Sequence, residues 1–165
     1  MIELNCNLPV GWKLVPLSEL CEINPSKPRG FKRNPQEPTT FIPMEAVDDK
    51  TGTVFAPQVR PYNTVARGYT YFEEGDVIFA KITPCMENGK AAIVDGLLGG
   101  IGFGSTEFHV LRAKSGVDSR WIYHLLRTAE FRRKAEENFE GSAGQRRTPE
   151  HFLESVHIPF CEDDS

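Results

Sequence analysis

The sequence predicts an α+β fold, a mostly antiparallel β-sheet or barrel-like structure followed by helices near the C-terminus. Short apolar runs alternate with Gly- and Pro-rich turns up to about residue 113, a spacing typical of antiparallel strands. Beyond residue 118 the apolar residues recur at helical spacing instead. We therefore expect a long C-terminal helix over about 119–138 and a short helix over about 148–154.

Strands are predicted wherever a short apolar or alternating run is bounded by turn residues. The run Val77–Ile82 is the most strand-like of these and follows the turn dipeptide Gly75-Asp76. Pro43 predicts an edge position for its strand, because proline cannot donate a hydrogen bond to a central ladder. The predicted strands are 12–17, 41–44, 77–82, 91–94, 107–112 and 156–160.

Capping residues set the helix predictions. Asp118 or Ser119 can cap a helix that stops before Gly141, and its apolar residues recur near i, i+4 and i+8. Thr148 as N-cap and Pro149 at the first helical position predict the short helix. Residues 24–40, rich in Pro and basic residues, predict a long irregular segment, and such segments are usually functional or disordered.

The charge balance is less informative than its distribution. Nineteen basic and 23 acidic side chains give a formal net charge of −4, which by itself argues against nucleic-acid binding. Three of the acids, Glu162, Asp163 and Asp164, lie in the last four residues, and without them the net charge is −1. Ser26–Arg33 contains four cations and no acid. The charge pattern therefore leaves DNA binding open.

The cysteine pattern and the absence of targeting signals predict a cytoplasmic protein. The four cysteines form no Cys-x-x-Cys pair and no cluster with histidine, so metal-site spacing is absent and reduced thiols are expected. No apolar run approaches the roughly 18 residues of a membrane span. Met1–Asn5 lacks the regions of a signal peptide. The length fits one domain over 1–165.

The sequence shows no complete catalytic constellation, which predicts that the chain is not an enzyme. No Gly-Lys-Ser/Thr follows the glycine-rich run Gly99–Gly104, so it is not a phosphate loop. Asn24-Pro25-Ser26 and Asn34-Pro35-Gln36 do not complete the tetrapeptide with which adenine methyltransferases grip the target amine. The charged residues Asp48-Asp49-Lys50 lie at a turn beside Gly52, which favours a solvated cluster over a nuclease site.

Several segments follow one another in a characteristic order. They are Leu8–Cys21, Gly75–Pro84, Glu87–Lys90, Gly104–Phe108, Gly141–Arg147 and Ile158-Pro159. In order and spacing this series resembles the target recognition domain of specificity subunits from type I restriction–modification systems, and the resemblance covers roughly residues 8–160.

The resemblance implies a DNA-reading module without chemistry of its own. It implies that an intact subunit carries two such domains, each of which reads one half of a bipartite target in double-stranded DNA. Long spacer helices between them would dock a methyltransferase (modification) subunit and a motor–nuclease (restriction) subunit. No cofactor is expected on this chain, since S-adenosylmethionine, ATP and Mg²⁺ would belong to the partner subunits. Residues 161–165 are expected to be the start of a spacer or a disordered tail.

Lysine and arginine side chains suit phosphates or guanine, and asparagine and glutamine suit adenine. Gln145–Arg147 are the strongest candidates, because Gly141 and Gly144 remove side-chain bulk from the loop. Arg147 has an alternative role, pairing with a carboxylate to brace the junction with the following helix. The predicted DNA contacts are Lys27, Arg29, Lys32, Arg33, Arg60, Tyr62, Arg67, Lys81, Thr83, Asn88, Lys90, Ser105, Gln145, Arg146 and Arg147.

Two other functions stay open at this point. A protein-interaction or assembly module derived from such a subunit would bind the methyltransferase partner without retaining DNA. A standalone nuclease or methyltransferase would show metal- or cofactor-dependent turnover by the purified chain.

Overall fold

The computed structural model describes residues 1–4 and 7–162. Its strands are β1 (Ile2–Glu3), β2 (Lys13–Pro16), β3 (Cys21–Ile23), β4 (Pro38–Ile42), β5 (Gln58–Pro61), β6 (Thr70–Glu73), β7 (Val77–Ala80), β8 (Ala91–Ile93), β9 (Ile101–Gly104), β10 (Phe108–Ala113) and β11 (Val156–Phe160). Its helices are α1 (Leu17–Leu20), α2 (Tyr62–Val65), α3 (Ser119–Arg127), α4 (Ala129–Glu137) and α5 (Glu150–Ser155), with 3₁₀ turns at Met44–Ala46 and Leu98–Gly100.

Within the described residues these strands form three sheets. We call them the terminal sheet (β1-β11-β2), the central sheet (β3-β10-β7-β8) and the outer sheet (β5-β4-β9-β6). The pairs β1–β11 and β4–β9 are parallel and the remaining pairs are antiparallel. The prediction of an α+β fold with antiparallel sheets is confirmed. The barrel-like prediction is wrong, because closure requires pairing from the first strand to the last and each of these sheets is open.

The central sheet is buried on both faces, and β7 shows why its sequence is uniformly apolar. Successive side chains of a strand point to opposite faces. Val77 and Phe79 join the core shared with α3, α4 and α5, whereas Ile78 joins the core shared with the outer sheet. The outer sheet carries a further small core on its other face, where Phe41 and Phe103 pack beneath α2.

The predicted long C-terminal helix is wrong, because the chain breaks at Thr128 into two nine-residue helices. Thr128 has an extended backbone (φ −63°, ψ 146°), ends α3 and caps α4. Its hydroxyl donates to the Leu125 carbonyl (2.8 Å) and accepts from the Phe131 N–H (3.2 Å). Threonine is a preferred N-cap, so the break has a local signal. Among the described helices none is long and apolar enough to cross a membrane.

Two further boundaries differ from the prediction for reasons of main-chain pairing. The strand before Pro43 is not an edge strand, since β4 begins at Pro38 and lies between β5 and β9. The short helix begins at Glu150 rather than 148, because Pro149 has an extended backbone (φ −75°, ψ 152°) and is the N-cap in place of Thr148, whose N–H pairs with the Lys81 carbonyl (2.8 Å). Of the predicted spacer start or tail, residues 163–165 lie outside the described residues.

Candidate functional site

Two neighbouring clefts share the lining residues Asn24 and Lys81, and we call them together the cleft. The first part, about 420 Å³, is bounded by the segment after β3 and by the outer sheet. The second part, about 410 Å³, is bounded by the end of β7 and by the segment before α5. Predicted contact residues that line the two parts are Lys27, Lys81, Gln145 and Arg147.

Lys81 lies where the two parts meet, directly after β7. Its main chain is held on both sides, since its N–H donates to the Glu107 carbonyl (2.9 Å) and its carbonyl accepts from the Thr148 N–H (2.8 Å). Within residues 1–4 and 7–162 its ammonium group has no hydrogen bond or ion pair, although the side chain is partly buried. A fixed backbone thus presents an unpaired cation at the centre of the cleft.

A buried histidine fixes the floor of the cleft. His109 is 3% exposed, and its Nε2–H donates to the Thr148 carbonyl (2.7 Å). Because a carbonyl only accepts, Nδ1 is the acceptor for the Asn24 amide (3.0 Å) and the ring is neutral. Burial also lowers the pKa of His109. Asn24, at a left-handed φ of 50°, further accepts from the Val110 N–H (2.8 Å).

Residues 141–146, which we call the glycine loop, border the second part of the cleft, and the residues that flank this loop are hydrogen-bonded to each other. Glu140 and Arg147 exchange two main-chain hydrogen bonds (3.0 and 2.9 Å), which close the loop. Gly141 has φ of 106°, and a Cβ there would lie 2.7 Å from the Gln145 carbonyl oxygen. Glycine is therefore required at this position by both conformation and space.

Arg147 forms a bidentate ion pair with Glu107. Its Nε is 2.9 and 3.0 Å from the two carboxylate oxygens, and its Nη2 is 2.7 Å from one of them. Its Nη1 donates to the Gln145 carbonyl (2.9 Å). Hydrogen bonding to Glu107 raises the pKa of Arg147, so the guanidinium stays charged. This geometry corresponds to the alternative role predicted for Arg147, in which it pairs with a carboxylate and braces the junction with the following helix.

Gln145 and Arg146 have side chains available at the surface. Both residues are exposed, and no side-chain hydrogen bond or ion pair forms for either within the described part of the chain. The Gln145 N–H donates to Ser142 (3.0 Å), and the Arg146 carbonyl accepts from the Thr83 N–H (3.0 Å). Arg146 lines a separate small cleft together with Thr83 and Glu87.

Lys27 lines the cleft but has intramolecular partners. Its ammonium group donates to the Tyr62 hydroxyl (3.2 Å) and to the Ala66 carbonyl (3.3 Å). It also lies 5.6 Å from the centre of the Tyr62 ring, within cation–π range. Tyr62 itself is only 8% exposed and belongs to the core beneath α2.

Arg33 is enclosed by the protein, with 7% of its side chain exposed. Its Nη2 donates to the Leu98 carbonyl (3.0 Å) and its Nη1 to the Thr39 hydroxyl (3.3 Å). Arg60 lies over the Phe41 ring at 3.9 Å and bonds Gln58 twice (2.9 and 2.6 Å). These arginines brace the outer sheet.

The other predicted contact residues divide into exposed and tied groups. Lys90 donates to the Met44 carbonyl (3.1 Å), Thr83 donates to Glu87, and the Ser105 hydroxyl accepts from the Glu107 N–H (3.1 Å). Four residues are exposed and lack a side-chain partner among the described residues: Arg29, Lys32, Arg67 and Asn88. The structure brings none of these four to the cleft lining.

Sequence reasoning missed Tyr69, Asn24 and His109. Tyr69 is 41% exposed, lines the first part of the cleft and packs edge-on against Phe41 at 4.7 Å. Its signal was an aromatic residue directly after Arg67-Gly68, in a loop already predicted to contact DNA. His109 lies between apolar residues, Phe108 and Val110, in β10. In the described ranges no group of three or more His, Cys, Asp or Glu side chains could hold a metal ion.

Comparison with known proteins agrees with this picture. The family model "Type I restriction modification DNA specificity domain" matches residues 9–162. Two curated relatives from Escherichia coli are the specificity subunits of the type I restriction enzymes EcoEI and EcoAI. They are 37% and 39% identical over 93% of this chain and 25% and 26% of their own lengths.

A crystal structure of the HsdS subunit from Thermoanaerobacter tengcongensis superimposes with a TM-score of 0.75 and 25% identity. The match covers 95% of this chain and 40% of that one. The chain thus spans about a quarter of the length of its curated relatives. Both relatives are specificity subunits. The chain belongs to the type I restriction–modification DNA specificity domain family.

Proposed function

We propose that this chain is a sequence-specific DNA-binding module that reads one half of a bipartite target for a type I restriction–modification complex. The observation that carries the proposal is the ammonium group of Lys81, which has no partner among the described residues and lines a cleft that Gln145 also lines. A cation can hold a phosphate while a neighbouring amide reads a base edge, which is the division of labour in protein–DNA interfaces. Family membership supports the same conclusion.

Within this proposal, Gln145 and Arg146 contact bases, because their side chains are exposed on a loop whose flanking residues are hydrogen-bonded to each other. Glutamine pairs bidentately with adenine and arginine with guanine. Lys81 contacts a phosphate in the cleft. Arg29, Lys32 and Arg67 provide further phosphate contacts around it. The tied residues hold the surface in shape, namely Lys27, Arg33, Arg60, Tyr62, Thr83, Lys90, Ser105 and Arg147.

The proposal extends to a larger assembly. The relatives are specificity subunits about four times as long as the matched region, which leaves room for a second recognition domain and spacer helices. We propose a methyltransferase subunit and a motor–nuclease subunit as partners, which carry S-adenosylmethionine, ATP and Mg²⁺. A cytoplasmic location belongs to the same proposal.

Selection from a random-sequence DNA duplex library with the 165-residue chain tests the function directly. The bound fraction is expected to enrich one short motif, and Arg146→Ala is expected to weaken binding to it by about tenfold, the value of one good base contact. Arg120→Ala is the matched control, because it removes the same charge from an exposed residue that pairs with Asp118 outside the cleft.

Retention of random DNA without enrichment of any motif would contradict sequence-specific recognition. Capture of the methyltransferase subunit without any DNA retention would favour the protein-interaction alternative instead.

A further inference from the structure

An acidic residue lies at the base of the surface proposed for DNA. Glu107 precedes β10, and 24% of its side chain is exposed. By charge alone a carboxylate in this place opposes binding to a polyanion, so its removal should strengthen DNA binding. The Glu107 carboxylate is, however, hydrogen-bonded to Arg147. Because of this structural role, we expect its removal to weaken selective DNA binding.

The carboxylate acts on the glycine loop through Arg147. Glu107 accepts three hydrogen bonds of 2.7–3.0 Å from the Arg147 guanidinium, and the same guanidinium donates to the Gln145 carbonyl (2.9 Å). Bidentate arginine–carboxylate pairs fix orientation as well as distance. The main chain of Gln145 is therefore anchored to β10 through two side chains.

Arg146, the neighbouring residue, is anchored in a different way. Its carbonyl accepts from the Thr83 N–H (3.0 Å), a main-chain contact that does not involve Glu107 or Arg147. Loss of the ion pair should consequently release Gln145 and leave Arg146 in place.

We propose that Glu107 and Arg147 are positioning residues that orient Gln145 toward a base in the cleft and so set sequence selectivity. This inference rests on the proposed function. Arg147 acts through Gln145 and does not itself contact DNA. A glutamine needs two aligned hydrogen bonds to discriminate adenine, so a mobile Gln145 loses selectivity before it loses overall affinity.

Fluorescence anisotropy with the selected duplex and with a scrambled duplex tests the inference. Glu107→Ala is expected to lower the ratio of the two affinities by about tenfold, since one bidentate contact is lost. Affinity for the scrambled duplex should stay equal or rise, because a negative charge has been removed. Glu107→Gln, which keeps the side-chain volume, should fall between the wild type and Glu107→Ala.

Double-mutant cycles separate positioning from a general structural role. In a Gln145→Ala background Glu107→Ala should have no further effect on selectivity, whereas in an Arg146→Ala background its full effect should remain. The charge-reversed pair Glu107→Arg with Arg147→Glu should not restore selectivity, because a carboxylate at position 147 cannot donate to the Gln145 carbonyl. Arg147→Ala should leave the salt dependence of binding unchanged, because it removes no phosphate contact.

These measurements distinguish failure of this inference from failure of the proposed function. Selective binding that Glu107→Ala leaves intact or strengthens would overturn the inference and leave the proposed function standing. A drop of about one unit in the salt slope of Arg147→Ala would assign Arg147 to a phosphate and also overturn it. Absence of selective binding by the wild-type chain would overturn both.

Discussion

On one wall of the cleft, formed by the segment after β3 and the outer sheet, cations are bound to the protein itself. Lys27 lines the cleft and donates to a tyrosine hydroxyl and a main-chain carbonyl, and Arg33, on the same segment but outside the cleft lining, is almost fully enclosed. On the other side, at the end of β7 and on the glycine loop, Lys81 and Gln145 line the cleft and have no side-chain partners among the described residues. The segment Ser26–Arg33, with four cations, therefore places no unpaired cation in the cleft, whereas the end of β7 places one there, as far as the described residues show.

This difference teaches that charge density along the sequence does not locate a binding surface. Ser26–Arg33 contains four cations. Lys27 and Arg33 are hydrogen-bonded within the protein, and the two exposed cations, Arg29 and Lys32, lie outside the cleft lining. At the end of β7 a single lysine is held by main-chain hydrogen bonds to Glu107 and Thr148. A fixed backbone with an unpaired side chain is the better indicator, because the backbone needs no further ordering and the side chain gives up no intramolecular partner on binding.

The largest effect expected from this comparison concerns stability. Arg33→Ala should lower the free energy of unfolding by about 1–3 kcal/mol, since it removes the hydrogen bonds from an enclosed guanidinium to the Leu98 carbonyl and the Thr39 hydroxyl. Urea unfolding followed by circular dichroism measures this change. Lys32→Ala is the matched control and should stay within about 0.5 kcal/mol of the wild type. Equal losses in the two variants would show that the first wall is not braced by Arg33.

A smaller effect concerns the pH dependence of the free energy of unfolding, which we expect from the buried His109 at the floor of the cleft. Burial lowers the pKa of His109 below 6.5, so the unfolded chain takes up a proton there at a higher pH than the folded protein. The stability contributed by neutral His109 is therefore complete above about pH 6.5 and declines as the pH falls below it.

His109→Gln can keep both hydrogen bonds without titrating. Its free energy of unfolding should decline less steeply than that of the wild type between about pH 7 and pH 5, measured by urea unfolding at each pH. His151→Gln is the control, because His151 is exposed and pairs with Glu140 on the surface. Parallel pH profiles for the wild type and His109→Gln would contradict a buried neutral His109.

The sequence predicted the strands better than the helices. The run Val77–Ile82 stood out because a doubly buried strand is apolar at every position. The single helix predicted over about 119–138 failed, since its apolar stripe continues across the break and only the cap at Thr128 marks it. The apolar period records which face is buried but carries little information on the backbone angle of one residue.

At the candidate site, the exposed glycine loop could be predicted from Gly141 and Gly144, and so could a brace as an alternative role for Arg147. The enclosure of Lys27 and Arg33 could not. Their partners include the main-chain carbonyls of Ala66 and Leu98, 39 and 65 residues away, and a carbonyl leaves no trace in the sequence. Pairing with such acceptors depends on the tertiary fold alone.

The salt dependence of DNA binding, compared between Lys81→Ala and Lys27→Ala, tests most directly which lysine of the cleft contacts the DNA. Each substitution removes one lysine that lines the cleft, so a difference between them reports the contact and not the total charge. The account predicts that Lys81→Ala lowers the slope of log K against log salt by about one unit and that Lys27→Ala leaves it unchanged. A loss of slope in Lys27→Ala with a wild-type slope in Lys81→Ala would contradict it.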